Sequence, residues 1–535
     1  MAACLLTGLF ASAPAWSQVP PQWNMYSDTS TGLVIPYLTG PNNPGMLNSS
    51  NGDGTFSNHA AQLKITVANS VSIPVTIDTG STGVAISQAL LPPGALNGLT
   101  SLGPGAINYD SSGATPTGNF YQLPVSILGG KVNNQDRVGT TTVKVLVVTS
   151  DNTTTYFGIG NNRNNVYSGV YNPSQSMAQN IALGNITQIS AVGMNPLLNV
   201  AVNGTALTNQ GYVVRNNQIV VGLTTADNGY SFVKLTPDPA NGPNLWNTTP
   251  VALSNGTGKP YASGTILHDT GIDNGYLKPF GVVNDTVSIS MPGTPNPTQG
   301  AFYSFVVPGA TTTCGTLTAV TPCQVLESTS TTPFFNTGRQ FYSAFDMLFD
   351  PVNGFTGYAQ STSGLAPPNA TLNPLLALIG NVSLPNTFLS DFPTFLMGAT
   401  TLLQTGVGTI SGDISGSGGL TIGSGQVNLK GTNTYTGGTT VTGGAILGIN
   451  ADSGLGAASG GLMLNNGTLA ALADLTLARA VTLGTGGGTF NTNSHNITLA
   501  SAISGPGGLT KTGLGILTLA GANTCLLYTS DAADE

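Results

Sequence analysis

What constrains this chain most is how its apolar residues are broken up. Runs such as LKITVA (63–68), IPVTI (73–77), TTVKVLVV (141–148) and VSISM (287–291) are short, and they alternate or are β-branched. Gly, Pro, Asn and Asp punctuate them at short intervals, and helical periodicity is scarce. Alternation at period two puts one set of side chains on a buried face, while the punctuating residues supply turns. The pattern predicts an all-β protein.

The pattern changes along the chain. Residues 2–15 are apolar and end in Ala13-Pro14-Ala15, so residues 1–17 read as a secretory signal peptide. Residues 18–60 are rich in Pro, Asn, Gly and Ser and read as an irregular lead-in. Strand-like runs fill 61–360, and the Pro- and Leu-rich stretch 361–405 is expected to be a linker. From 406 to 524 the chain becomes Gly/Thr/Leu repeats. ISGSGGLTIGSGQVNLKGTNTYTGG (414–438) aligns with ISGPGGLTKTGLGILTLAGANT (503–524), bringing Asn433 beside Asn523. Period-two apolar runs broken by Gly and Asn suit the stacked coils of a parallel β-solenoid, in which each coil buries its apolar face only against its neighbours. Residues 525–535 break every preceding pattern and are read as a non-native tail on a fragment.

Only 6% of the 535 residues are charged, and the net charge is −8. A surface wetted by hydroxyls and amides suits an exported β-protein better than a cytosolic helical enzyme. A chain so poor in Lys and Arg offers no cationic footprint for nucleic acid. The three histidines, His59, His268 and His495, lie far apart, and neither an HExxH nor a paired-His zinc spacing occurs. The reading therefore carries no metal and no cofactor. Cys314 and Cys323, nine residues apart, are expected to close a short loop as a disulfide in an exported protein, with two free thiols as the alternative.

Acids are rare, so their placement informs. Asp78 lies in VTIDTGSTGVAI (75–86) and Asp269 in TILHDTGIDNGYL (265–277). Each follows an apolar strand and precedes Thr-Gly. A duplicated strand–turn of this kind can bring two carboxylates together across a pseudo-twofold. Gly80 and Gly271 let the backbones approach, and Thr79 and Thr270 can hydrogen-bond across the junction. Two adjacent carboxylates share one proton, which yields a general base and a general acid from one residue type. Alternation of side chains along a strand places His268 on the face opposite Asp269, so it is expected to be structural; Asp350 is also expected to be structural.

These motifs resemble the pepsin-like aspartic proteases over roughly residues 61–360. The resemblance implies a bilobal all-β fold with Asp78 and Asp269 as the dyad, supported by Thr79, Gly80, Ser81, Thr270 and Gly271. It implies that INYDSSGATPTGNFY (107–121) is a flap hairpin with Tyr109 over the substrate. Gly158 in TYFGIG (155–160) and Gly338 in FNTGRQFYSAFDMLFDPVNGFTGYA (335–359) would be the glycines that thread behind the two aspartates. Three places depart from the pattern, one of them Asn336-Thr337 before Gly338, where the resemblance implies two apolar residues. Ile272 stands where the resemblance implies Thr or Ser, and Ala85 stands where many members carry a Trp against the flap tyrosine. The 406–524 repeats resemble the autotransporter-associated β-strand repeats of bacterial surface passengers, which stand upstream of an outer-membrane barrel.

Together these readings describe an exported protein of the bacterial surface or exterior, a pepsin-like domain on a β-solenoid stalk. The expected reaction is hydrolysis of a peptide or protein bound in extended form. The rival reading, which Ile272 and Ala85 favour, is a pepsin-like module that binds without cleaving, or an adhesin of a surface passenger. Any contact with the outer membrane would pass through a barrel that this sequence does not contain.

Overall fold

The strands form where alternation predicts them, and they are stitched into sheets that place both Asp-Thr-Gly turns at one junction. The computed structural model describes residues 23–40, 43–44, 61–109, 114–161, 163, 165–240, 245–256, 259–279, 283–293, 300–308, 320–322, 324–361 and 369–523. The protein is all-β, about 5% helical, with a C-terminal β-solenoid. The signal-peptide reading, Cys314, Cys323 and the tail 525–535 lie outside the described residues.

In the strand Ile73–Asp78, Ile73, Val75 and Ile77 point into the core while Pro74 is exposed. It pairs antiparallel with Gln62–Val67, whose Leu63, Ile65 and Val67 face the same core. Thr117–Val132 and Gln135–Val148 make a long hairpin closed by Asn133 and Asn134, both at positive φ, the conformation that a two-residue turn between twisted strands requires. Thr155–Ile159 then runs parallel beside Ile73–Asp78, setting Gly158 opposite Asp78.

A separate eight-stranded sheet repeats the arrangement. Its strand Ala262–Leu267 ends two residues before Asp269 and is flanked in parallel by Phe334–Asn336. Thr76, two residues before Asp78, pairs with Tyr156; Leu267, two before Asp269, pairs with Asn336. Tyr156 and Asn336 are thus internal counterparts. One apolar cluster runs beneath both sheets, from Leu33 and Val75 to Ile266, Leu277 and Phe335.

The solenoid makes about seven turns across residues 376–519. Leu376–Ser383 runs parallel to Thr394–Leu403, which runs parallel to Ile414–Gly416 and Leu420–Ile422. Parallel pairs then continue along the same face to Val481↔Ile503. The repeat alignment has a hydrogen-bond counterpart. Asn433 Oδ1 accepts the Ile414 N–H at 2.8 Å, and Asn523 Oδ1 accepts the Ile503 N–H at 2.9 Å.

Two expectations are corrected. Within the supposed linker 361–405, residues 376–403 are the first turns of the solenoid, and they do not hang free. The strand Ser231–Lys234 pairs in parallel with Leu376–Ser383, so the sheet passes directly from one part to the other. Part of the irregular lead-in is also built into the fold. Leu33–Pro36 pairs antiparallel with Gln218–Val221. Trp23 is 1% exposed, stacked 5.3 Å from Phe232 and edge-on 4.8 Å from Phe388, wedged between sheet and first turn.

Candidate active site

Asp78 ends its strand, and Asp269 lies in the loop that leaves the corresponding strand. The two loops meet head to head, held by a reciprocal set of buried hydrogen bonds. Thr79 N–H donates to Thr270 Oγ1 at 3.0 Å, and Thr270 N–H donates to Thr79 Oγ1 at 2.9 Å. Thr79 Oγ1 donates to the His268 carbonyl at 2.6 Å, and Thr270 Oγ1 donates to the Ile77 carbonyl at 3.0 Å. Each threonine therefore fixes the opposite loop through both its hydroxyl and its amide. Gly80 N–H donates to Asp78 Oδ1 at 2.7 Å, and Gly271 N–H donates to Asp269 Oδ1 at 2.9 Å.

Close approach explains the glycines. A Cβ on Gly80 would fall 2.5–2.7 Å from the Asp269 carboxyl atoms, and one on Gly271 would fall 2.8 Å from Asp78 Oδ1. Gly338 has a φ of +60° at the start of the short turn Arg339–Ser343, whose Arg339 N–H returns to the Ile272 carbonyl at 2.9 Å.

Asp78 and Asp269 are 7% and 1% exposed, and their carboxyl groups hydrogen-bond each other. Burial, and then the charge of Asp269, push Asp78 up to about 7. The Ser81 hydroxyl and the Gly80 amide pull the other way. At acid pH the pair therefore retains a proton. Asn336 Nδ2 donates to Asp269 Oδ2 at 2.8 Å.

A cleft of about 350 Å³ opens over the pair, lined among others by Tyr109, Tyr156, Arg163, Ile272, Tyr276 and Glu327. A hollow of about 550 Å³ adjoins it and shares Tyr156 and Gly271. Tyr109 follows Pro104–Ile107, which pairs with Thr117–Val132, and it bridges Ala114 across the hairpin; residues 110–113 lie outside the described residues. Its ring stacks on Tyr156 at 4.2 Å and 24°, and its hydroxyl lies by Ser81 in the field of Asp78. Tyr156 is paired with Ala85, so an aromatic ring supports Tyr109 from the strand next to that small residue.

The sequence-predicted dyad and its Thr, Gly and Ser neighbours thus converge, with Tyr109 beside them. Gly158 and Gly338 lie behind the two turns, and the proposed disulfide falls outside the described residues. His268 is buried against Phe341, ring centroids 4.4 Å apart, and burial followed by the charge of Arg163 lowers it to about 3, so it is neutral above that pH. Asp350 accepts from Tyr26, Asn353 and the amide of Val352, a structural set. Asn336 and Tyr156 are the residues that sequence reasoning missed. The polar Asn-Thr before Gly338, where the resemblance implies apolar residues, was the available signal for Asn336. Among the described residues, no group of three or more His, Cys, Asp or Glu side chains is placed to hold a metal. No family model and no curated protein matches the chain.

Proposed function

We propose that residues 61–360 are a pepsin-like, bilobal aspartic endopeptidase, exported by a bacterium and carried on the solenoid as an autotransporter-type stalk. The observation that carries this reading is the buried Asp78–Asp269 pair, interlocked through Thr79 and Thr270 at the floor of an open cleft. A water held between the carboxyls attacks the peptide carbonyl carbon and gives a proton to Asp269, while Asp78 protonates the carbonyl oxygen. The tetrahedral diol then collapses. Asp269 returns its proton to the leaving nitrogen, and Asp78 recovers one from a diol hydroxyl. A peptide bound as an added strand beneath the Tyr109 hairpin would run from the cleft into the adjoining hollow, which share Tyr156 and Gly271.

The departures that favour a non-cleaving module or adhesin are each met by another residue. Asn336 donates to Asp269 beside Ile272, and Tyr156 backs Tyr109 beside Ala85. The test is hydrolysis of a mixed peptide library across acid pH. Cleavage is expected below about pH 7, where Asp78 keeps its proton. It should be blocked by a statine inhibitor of the pepstatin type, and abolished by Asp78→Asn or Asp269→Asn in folded protein. Absence of cleavage by folded wild type, or full activity in either variant, overturns the reading.

A further inference from the structure

The internal repeat exposes an asymmetry in the pair. Three residues after Asp78 stands Ser81, whose hydroxyl lies close enough to the Asp78 carboxyl to favour its charged form. Three residues after Asp269 stands Ile272, which has no donor. On that side a donor arrives from the parallel strand instead, as Asn336 Nδ2 at 2.8 Å from Asp269 Oδ2. The amide cannot turn around freely, because Asn336 Oδ1 accepts the Gly338 N–H at 3.1 Å. Asn336 is buried, and its backbone is held opposite Leu267.

The two donors differ in kind. An amide nitrogen can only donate, so it favours a carboxylate. A hydroxyl can also accept, so Ser81 favours the charged form of Asp78 less exclusively than an amide would. We propose that Asn336 is a positioning residue that holds Asp269 as the charged member of the pair and leaves the shared proton on Asp78. This assigns base and acid within the peptidase reading given above, and it rests on that reading for its consequence in catalysis. It also reverses what Ile272 alone suggests, which is an Asp269 short of donors and therefore protonated.

Other titratable groups face the pair. Tyr109 faces Asp78. Tyr276, Tyr342 and Arg339 act on Asp269, with Arg339 also 3.7 Å from Asp273. Arg163 donates to the Gly80 carbonyl at 3.4 Å, and Glu327 lines the cleft. All are unchanged in the variants below, so a shift reports Asn336.

The experiment titrates the full chain with 13Cγ-labelled aspartate, using Asp269→Asn to assign the dyad signals, and measures kcat/KM against pH in parallel. Asn336→Leu removes the donor at similar volume. The first proton loss of the pair, and with it the acid limb of the rate profile, should move up by about one pH unit, as expected for a lost hydrogen bond to a charge. The alkaline limb, set by loss of the proton on Asp78, should stay. Adding Ile272→Thr to Asn336→Leu should bring the acid limb back, which repair of mere packing would not do. If Asn336→Leu does not fold, Asn336→Ala is read in the same way. An unmoved titration in a folded variant overturns the proposal, and so does a shift that Ile272→Thr leaves in place. A shift that appears and is reversed in a protein that cleaves nothing upholds the role of Asn336 and sinks the peptidase reading.

Discussion

Replacing Thr79 with Val tests whether the crossing of the two loops holds the site together. The substitution keeps the shape of the side chain and removes one hydroxyl, so no cavity opens. That hydroxyl donates to the His268 carbonyl at 2.6 Å and accepts the Thr270 N–H at 2.9 Å, both buried. Losing it strands a buried acceptor and a buried donor, each costing about 1–3 kcal/mol, so the variant should be less stable by about 2–6 kcal/mol. The Thr79 N–H keeps its bond to Thr270 Oγ1, which is why the fold should survive. On the proposed peptidase reading, kcat/KM should fall further than stability implies, by about tenfold to a hundredfold, because small displacements of paired catalytic groups are costly. Urea unfolding followed by tryptophan fluorescence, with Trp23 and Trp246 as reporters, measures the first quantity. Thr79→Ser, which retains the hydroxyl, is the control and should stay within about 1 kcal/mol of wild type. A Thr79→Val protein that loses less than about 0.5 kcal/mol would refute the reasoning, since that is the scatter of substitutions that touch nothing.

Stability should depend on pH in a definite direction. Burial raises Asp78 and Asp346 from 3.8 to about 7, so the folded protein holds protons that the unfolded chain has released. Their contribution is complete below about pH 4 and is lost as the pH climbs to about 7. A urea midpoint that rises over this window would contradict the assignment, and Asp346→Asn should flatten the slope while leaving the dyad alone. Trp23→Ala removes a 1%-exposed ring packed on Phe232 and Phe388 and should cost about 3–5 kcal/mol. Scanning calorimetry should then show the junction melting earlier, and an unchanged profile would mean that the ring carries no load there.

Much of this was legible in the chain because the signals are local. Period-two alternation marks strands such as Ile73–Asp78, and the duplicated Asp-Thr-Gly states that the two turns are copies. Two aligned repeats, with Asn433 and Asn523 in register, announce stacked coils. What escaped depends on partners far away in sequence. Asn336 meets Asp269 across 67 residues, and only strand pairing reveals the contact. Tyr156 supports Tyr109 from a strand that passes behind Ala85. Residues 376–403 lack the Gly/Thr rhythm of the later coils and are strands because Ser231–Lys234 offers them an edge. Trp23 and Tyr26 sit in a Pro/Asn-rich stretch with no periodicity, and their order comes entirely from what they touch.

The anchoring of that N-terminal stretch has a consequence for the order of assembly. Asn24 Nδ2 donates to the Thr387 carbonyl across 363 residues, Leu389 N–H donates to Asn24 Oδ1 across 365, and Tyr26 donates to Asp350 across 324. A chain emerging vectorially presents Trp23 and its neighbours long before their partners exist. Their first partners, Phe232 and the strand Gln218–Val221, come about 200 residues later, and the set is complete only once residue 390 has been made. Contacts of such separation are slow to form, because a long loop has to close before they give anything back. The solenoid has the opposite habit, since each coil needs only the one before it. Its first coil sits on the edge at Ser231–Lys234, so the end of the stack that lacks a preceding coil is covered by the sheet before it.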